Sequence, residues 1–211
     1  MLISKKHKFI FFHLPKNAGS SITKGLRKYS DYPIERLYYY MIDYLGTVPF
    51  LNLYPLHISP RELKSKIRSV ENFNNYFKFA FVRNPWDWHV SQFMYHKQAS
   101  NAFFNKTFKQ FTFDDYVEWA VKEENIILAK SRQKEFLSDR NGEVIVDYIG
   151  KYETLHKDYE EICDKIGVGD SLRKVNLSKR KKSYKEYYNS QTKQLIFEAF
   201  KEDINYFGYE F

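Results

Sequence analysis

The chain has 211 residues, 43% of them hydrophobic, and a formal net charge of +8 from 34 basic and 26 acidic side chains. That size and composition fit one folded domain, residues 1–211, and exclude a disordered chain or a repeat array. The single cysteine, Cys163, excludes an intrachain disulfide, and no apolar run reaches membrane-spanning length, so a soluble cytoplasmic protein with no transmembrane segment is expected.

From Lys8 to Leu14 an apolar run ending at Pro15 predicts a strand, and Ile22, Leu26 and Tyr29 mark the helix that follows the loop. Residues 30–55 are tyrosine-rich and broken by Pro33 and Pro49, as expected of a segment that covers a surface or lines a cleft. Ser59-Pro60-Arg61-Glu62 combines a capping box with proline at the first helical position, predicting a helix to about Ser69. Tyr76–Val82 reads as a second buried strand, ended by Arg83-Asn84-Pro85 before a helix over Trp86–His96. Further on, the pattern predicts a capped helix over Thr112–Glu123 and short strands at Val144–Val146 and Tyr148–Gly150 on either side of Asp147. Leu155–Ile166 is expected to be helical, and a final helix over Gln191–Phe207 is stopped by Gly208. This alternation predicts an α/β fold, a single domain with a central parallel sheet, helices on both faces and a P-loop-like strand, loop and helix. Ligands of such sheets bind beyond the carboxyl ends of the strands.

Two segments lie at such ends. Pro15-Lys16-Asn17-Ala18-Gly19-Ser20-Ser21 joins a strand to a helix N-terminus, where unpaired N–H groups and the helix dipole favour an anion. Gly19 permits close backbone approach, Ser20 and Ser21 add hydroxyl donors and Lys16 adds charge. A Walker loop requires lysine directly after its second glycine, and Ser20 stands there instead. An ordinary capped turn is the alternative reading of this loop. In the second segment, Arg83 at the strand end and Ser91, eight residues on, can converge on one phosphate of roughly −2 charge. The alternative is an internal ion pair of Arg83 with Asp87, leaving Ser91 on a polar helix face.

His13-Leu14-Pro15-Lys16-Asn17-Ala18-Gly19-Ser20-Ser21 resembles the 5′-phosphosulfate loop of the sulfotransferases that use 3′-phosphoadenosine 5′-phosphosulfate (PAPS), above all the family-2, carbohydrate-type members. Phe79-Ala80-Phe81-Val82-Arg83-Asn84-Pro85-Trp86-Asp87, followed by Val90-Ser91, is similar to that family's 3′-phosphate signature. His57-Ile58-Ser59, Gln133-Lys134-Glu135-Phe136-Leu137 and Gly150-Lys151-Tyr152-Glu153 resemble its histidine, cleft and later strand-end segments. Asn176-Leu177-Ser178-Lys179-Arg180, with Tyr184 and Tyr187-Tyr188, resembles the loop that closes over the nucleotide, so Ser178, Lys179, Arg180 and Tyr184 join the expected donor-binding set. Trp88 and Lys185 depart from the family, which often has arginine at both places.

The resemblance implies transfer of a sulfuryl group from PAPS to a hydroxyl acceptor, a glycan, without a metal and without nucleic acid as a partner. In-line transfer of this kind is promoted mainly by positioning and charge stabilisation. Lys16 is the expected stabiliser of charge on the leaving phosphate, and His57 the expected general base, with Glu135 and Glu153 as fallbacks. The other reading of His57 is a structural histidine packed before the Ser59 cap. Two competing functions remain open at this level: an ATP-dependent phosphotransferase with a degenerate P-loop, and a basic nucleic-acid-binding module using Lys179–Lys182 and stacking tyrosines. The first lacks a clear Mg²⁺ ligand set, and the second leaves both strand-end motifs unexplained. Acceptor identity and oligomeric state are not legible.

Overall fold

The computed structural model describes residues 1–30, 57–66, 73–98, 108–129, 131–169, 172 and 183–211. In chain order its elements are β1 (Leu2–Ser4), β2 (Phe9–Phe12), α1 (Gly19–Leu26), α2 (Pro60–Lys66), β3 (Phe77–Val82), α3 (Pro85–Gln98), α4 (Phe113–Ala120), α5 (Glu123–Ala129), α6 (Gln133–Leu137), β4 (Tyr148–Lys151), α7 (Leu155–Ile166), α8 (Ser190–Ala199) and α9 (Lys201–Phe207). Short 3-10 turns occupy Arg27–Tyr29, Tyr152–Thr154 and Tyr184–Tyr187. Packing divides the chain into two units, one comprising Met1–Leu14, Ala18–Val82 and Leu137–Val175, the other Pro15–Asn17, Arg83–Phe136 and Asn176–Phe211.

The first unit is built on a sheet of order β1-β2-β3-β4, flanked by helices. β2, β3 and β4 run parallel, with Phe11 opposite Phe79 and Phe81 opposite Gly150. The expected parallel sheet is thus mixed, because β1 pairs antiparallel to β2. Four residues, 5–8, suffice for that hairpin turn, whereas a parallel partner needs a long crossover. β1 itself is only three residues long, too short for any periodic signal. Strand residues of both parities are buried, as in a sheet covered on both faces. Phe9, Phe11, Phe79 and Phe81 point to one face and pack with Ile22 and Leu26 of α1 and Tyr159, Ile162 and Ile166 of α7. Cys163 lies in that same core.

Asp147 explains how an apolar strand tolerates Lys78. Its carboxylate accepts from both the backbone N–H and the ammonium of Lys78 at 2.7 Å, and its own N–H donates to the Lys78 carbonyl. β4 forms where expected, but Val144 makes only an isolated bridge to Ser138. The α2 cap is also as read from sequence: the Ser59 N–H donates to Glu62 Oε2 at 2.7 Å, and Ser59 Oγ accepts from the Glu62 N–H.

The second unit is helical around an aromatic core of Trp86, Phe93, Phe108, Phe113, Tyr116 and Phe200 with Val90, Ile196 and Ile204. Thr112 caps α4 through a reciprocal box with Asp115. The single final helix expected over Gln191–Phe207 is two, because Phe200 leaves the helical region at φ −121°, ψ 21°. That break directs Asp203 toward α6, where its carboxylate caps the Gln133 and Lys134 N–H groups at 2.7 and 2.8 Å. Among the described residues no helix is long and apolar enough to cross a membrane.

Candidate active site

In the first unit, β2 ends at Phe12 and the chain turns through His13 and, after the loop, enters α1. Ala18, at the helix start, is left-handed at φ 59°, and its side chain supplies no cap. A left-handed residue followed by a helical one turns successive N–H groups toward a common point, a shape that holds anions. The first turn of α1 carries no acidic residue either, so its positive end is left for an external anion. Ser20 is exposed at this end and Ser21 is buried.

Gly19 has a structural duty that its sequence pattern did not disclose. A Cβ there would lie 1.8 Å from Cδ2 of His13, so the His13 ring occupies the space a side chain would need. His13 is buried, stacks on Phe11 with centroids 6.0 Å apart and meets the His57 ring edge-on at 4.8 Å. Burial holds its imidazole well below the usual histidine range, so it stays neutral. The His13 carbonyl lies 2.7 Å from His57 Nδ1. A carbonyl can only accept, so Nδ1 of His57 carries the proton and Nε2 holds the basic lone pair. That is the tautomer a general base requires.

In the second unit, the Pro15–Asn17 segment is laid along α3. Trp88 Nε1 donates to the Pro15 carbonyl at 2.8 Å, so the residue that departs from the family's frequent arginine anchors the loop by its indole N–H. Arg83 Nη1 donates to the Lys16 carbonyl at 3.1 Å. The Lys16 ammonium lies 4.2 Å from the centre of the Tyr95 ring. Lys16 is left-handed at φ 63°, a conformation costing a non-glycine residue about 1–2 kcal/mol.

Asp87, Ser91 and Tyr95 are spaced by four and therefore share one face of α3, about 12 Å from first to last at about 1.5 Å per residue. Arg83 Nε donates to Asp87 Oδ2 at 2.7 Å at one end of that stripe, and Lys16 covers Tyr95 at the other. Half-buried Ser91 falls between Asp87 and Tyr95 on that face of the helix. The internal ion pair of Arg83 with Asp87, the alternative reading of this segment, is therefore present. Burial first, and the Arg83 charge second, push the Lys16 ammonium down to about 8. An anion arriving beside Lys16 would favour its charged form.

Tyr184 packs edge-on against Phe211 with centroids 5.8 Å apart, and Tyr188 Oη donates to the Trp86 carbonyl at 2.8 Å, fixing its turn beside α3. Ser178, Lys179 and Arg180, expected to contact the donor, lie outside the described residues, as do Lys181 and Lys182. Among the described residues no group of three or more histidine, cysteine or acidic side chains is placed to hold a metal ion. Tyr95, Trp88 and Gln133 were not singled out by residue chemistry. The four-residue spacing from Asp87 through Ser91 is the one sequence signal that leads to Tyr95.

The first unit is thus an α/β fold with a P-loop-like strand, loop and helix, a class of protein whose helix start suits an anion. The sequence model of the sulfotransferase family matches residues 1–210, and the chain belongs to that family. Sulfotransferase is the enzyme class expected from the two motifs. An uncharacterized protein of Archaeoglobus fulgidus is 36% identical over 100 residues, 47% of this chain and 75% of that protein. The crystal structure of mouse sulfotransferase SULT7A1 complexed with PAP shares the fold, with a TM-score of 0.55 at 16% identity over 96% of this chain and 86% of that one.

Proposed function

We propose that residues 1–211 act as one sulfotransferase domain that moves the sulfuryl group of PAPS to a hydroxyl of a carbohydrate. The observation that carries the donor reading is the bond from Arg83 to the Lys16 carbonyl, with Asp87, Ser91 and Tyr95 sharing the face of α3 that Arg83 and Lys16 contact. In this reading Arg83 and Ser91 hold the 3′-phosphate, and Pro15, Lys16, Asn17, Ala18, Gly19, Ser20 and Ser21 hold the 5′-phosphosulfate. Ser178, Lys179, Arg180 and Tyr184 complete the donor-binding set in this reading. The mouse neighbour is complexed with PAP, which agrees with such a donor, and the acceptor class rests on the family-2 resemblance.

His57 Nε2 takes the proton of the acceptor hydroxyl as its oxygen attacks sulfur. The bond from sulfur to the 5′-phosphate oxygen breaks, and Lys16 neutralises the charge left on that phosphate. A cation placed there contributes more in the transition state than in the ground state, which is what raises turnover. Family membership favours this over the phosphotransferase and nucleic-acid alternatives. The cysteine buried in the core suits a reducing cytoplasmic setting.

The deciding measurement is calorimetry with adenosine 3′,5′-bisphosphate (PAP), 5′-AMP and ADP. PAP should bind far more tightly than either; equal affinities would remove Arg83 and Ser91 from the donor site. Turnover with labelled PAPS should survive EDTA unchanged, since Lys16, Arg83 and the loop N–H groups supply the charge that Mg²⁺ supplies in kinases. Loss of activity restored by Mg²⁺ would return the phosphotransferase reading. A screen of glycans, lipids and phenols with labelled PAPS tests the acceptor.

Lys16 also sets a pH dependence. Its ammonium titrates at about 8 in the free enzyme, and a bound anion raises that value, so binding above pH 8 takes up a proton. Donor affinity should therefore fall as pH rises above about 8, approaching tenfold per unit. Lys16→Met should flatten that limb, and calorimetry in buffers of different ionisation enthalpy reads the proton directly. An unchanged slope in the variant assigns it elsewhere.

A further inference from the structure

Gln133 is 1% exposed at the start of α6, and its side-chain amide makes three hydrogen bonds. Oε1 accepts from the Arg83 backbone N–H at 2.9 Å and from Asn17 Nδ2 at 2.8 Å, while Nε2 donates to the Arg83 carbonyl at 2.7 Å. Pairing with both the N–H and the C=O of one residue is what a neighbouring strand would do. It happens one residue after β3 ends, where Arg83 has left the ladder. The third bond reaches the loop at Asn17. Arg83 closes a ring by donating through Nη1 to the Lys16 carbonyl at 3.1 Å. Gln133 is itself fixed, because its N–H donates to Asp203 Oδ2 at 2.7 Å.

The ring therefore runs from Asn17 through Gln133 and Arg83 back to Lys16. It ties together the two residues assigned above to opposite ends of the donor. A buried polar partner left without its hydrogen bond is costly, which makes such a ring hard to open. The ring is thus stiff, and it fixes a separation. A ligand with two phosphates gains from binding both ends only when their separation matches that of the two sites.

The geometry points to Gln133 as a positioning residue that sets the spacing between the 5′-phosphosulfate loop and the 3′-phosphate arginine, and through it the selectivity for a nucleotide phosphorylated at both ends. This rests on the donor reading above. Gln133 touches no part of the donor; it acts through Asn17 and Arg83.

The test compares PAP, 5′-AMP and 3′-AMP by calorimetry on wild type, Gln133→Met and Gln133→Asn. Methionine keeps the length and volume of the side chain and removes its hydrogen bonds. Gln133→Met should weaken PAP about 10- to 100-fold while 5′-AMP and 3′-AMP each stay within about threefold of wild type, because only the advantage of joining the two sites is lost. A loss equal for all three ligands would mean Gln133 merely supports the fold, and an unchanged PAP affinity would remove it from donor selection; either overturns the proposal. If Gln133→Met has no cooperative thermal transition, Gln133→Asn, which keeps the amide but draws it back by one methylene, carries the same three-ligand comparison. Failure of the donor reading looks different, since wild type itself would then bind PAP no better than 5′-AMP.

Discussion

On the proposed mechanism, His57→Ala should lower turnover by about 10²–10⁴, the range for removal of a general base, while donor affinity should stay near wild type. The reason is the hydrogen bond from its Nδ1 to the His13 carbonyl at 2.7 Å, which fixes the lone pair on Nε2 and the orientation of the ring. His13 is neutral and buried, so it adds no cation beside His57 that would compete for the proton. Steady-state turnover with labelled PAPS and calorimetry with PAP separate the two effects. Wild-type turnover should rise with pH along a limb that the variant lacks. A variant that keeps most of its turnover, or loses donor binding together with its fold, makes His57 structural. The candidates then become Glu135 and Glu153, both exposed.

Arg83→Ala acts twice. Arg83 is 2% exposed and Asp87 5%, so alanine leaves a buried carboxylate without its guanidinium partner, a change that costs about 3–5 kcal/mol. For a domain of this length that lowers the melting temperature by about 6–20 °C. Independently, if Arg83 holds the 3′-phosphate as proposed, loss of that charged hydrogen bond should cost about 1.5–3 kcal/mol, or about 10- to 150-fold in PAP affinity. The pair Arg83→Ala with Asp87→Ala separates them: thermal stability should recover in large part, and PAP affinity should not. Recovery of both would make Arg83 a structural ion-pair partner and nothing more.

Local chemistry was legible wherever one segment carries its own signal. The Ser59 box, Thr112 cap and Gly208 stop appear in the structure because each depends on neighbours within a few residues. The Phe77–Val82 strand and the α7 helix depend only on apolar periodicity. The two strand-end motifs, and with them the family, were readable for the same reason: loop and helix start are contiguous in sequence. By itself, then, the sequence determined the α/β class, the parallel core of the sheet, the loop and helix start after β2 and the enzyme class.

Tertiary structure alone decided what joins distant positions. Nothing in a three-residue run announces that β1 closes the sheet antiparallel, because a hairpin is set by what it packs on. The break at Phe200 carries no proline or glycine; tertiary packing overrides helical propensity and brings Asp203 to the start of α6. Gln133 lies 116 residues from Asn17 and 50 from Arg83, so no local pattern could reveal the amide that links them. Likewise Gly19 reads as room for a ligand until the His13 ring is found above it. Such contacts follow from burial, which forces each polar group to find a partner wherever the fold has placed one.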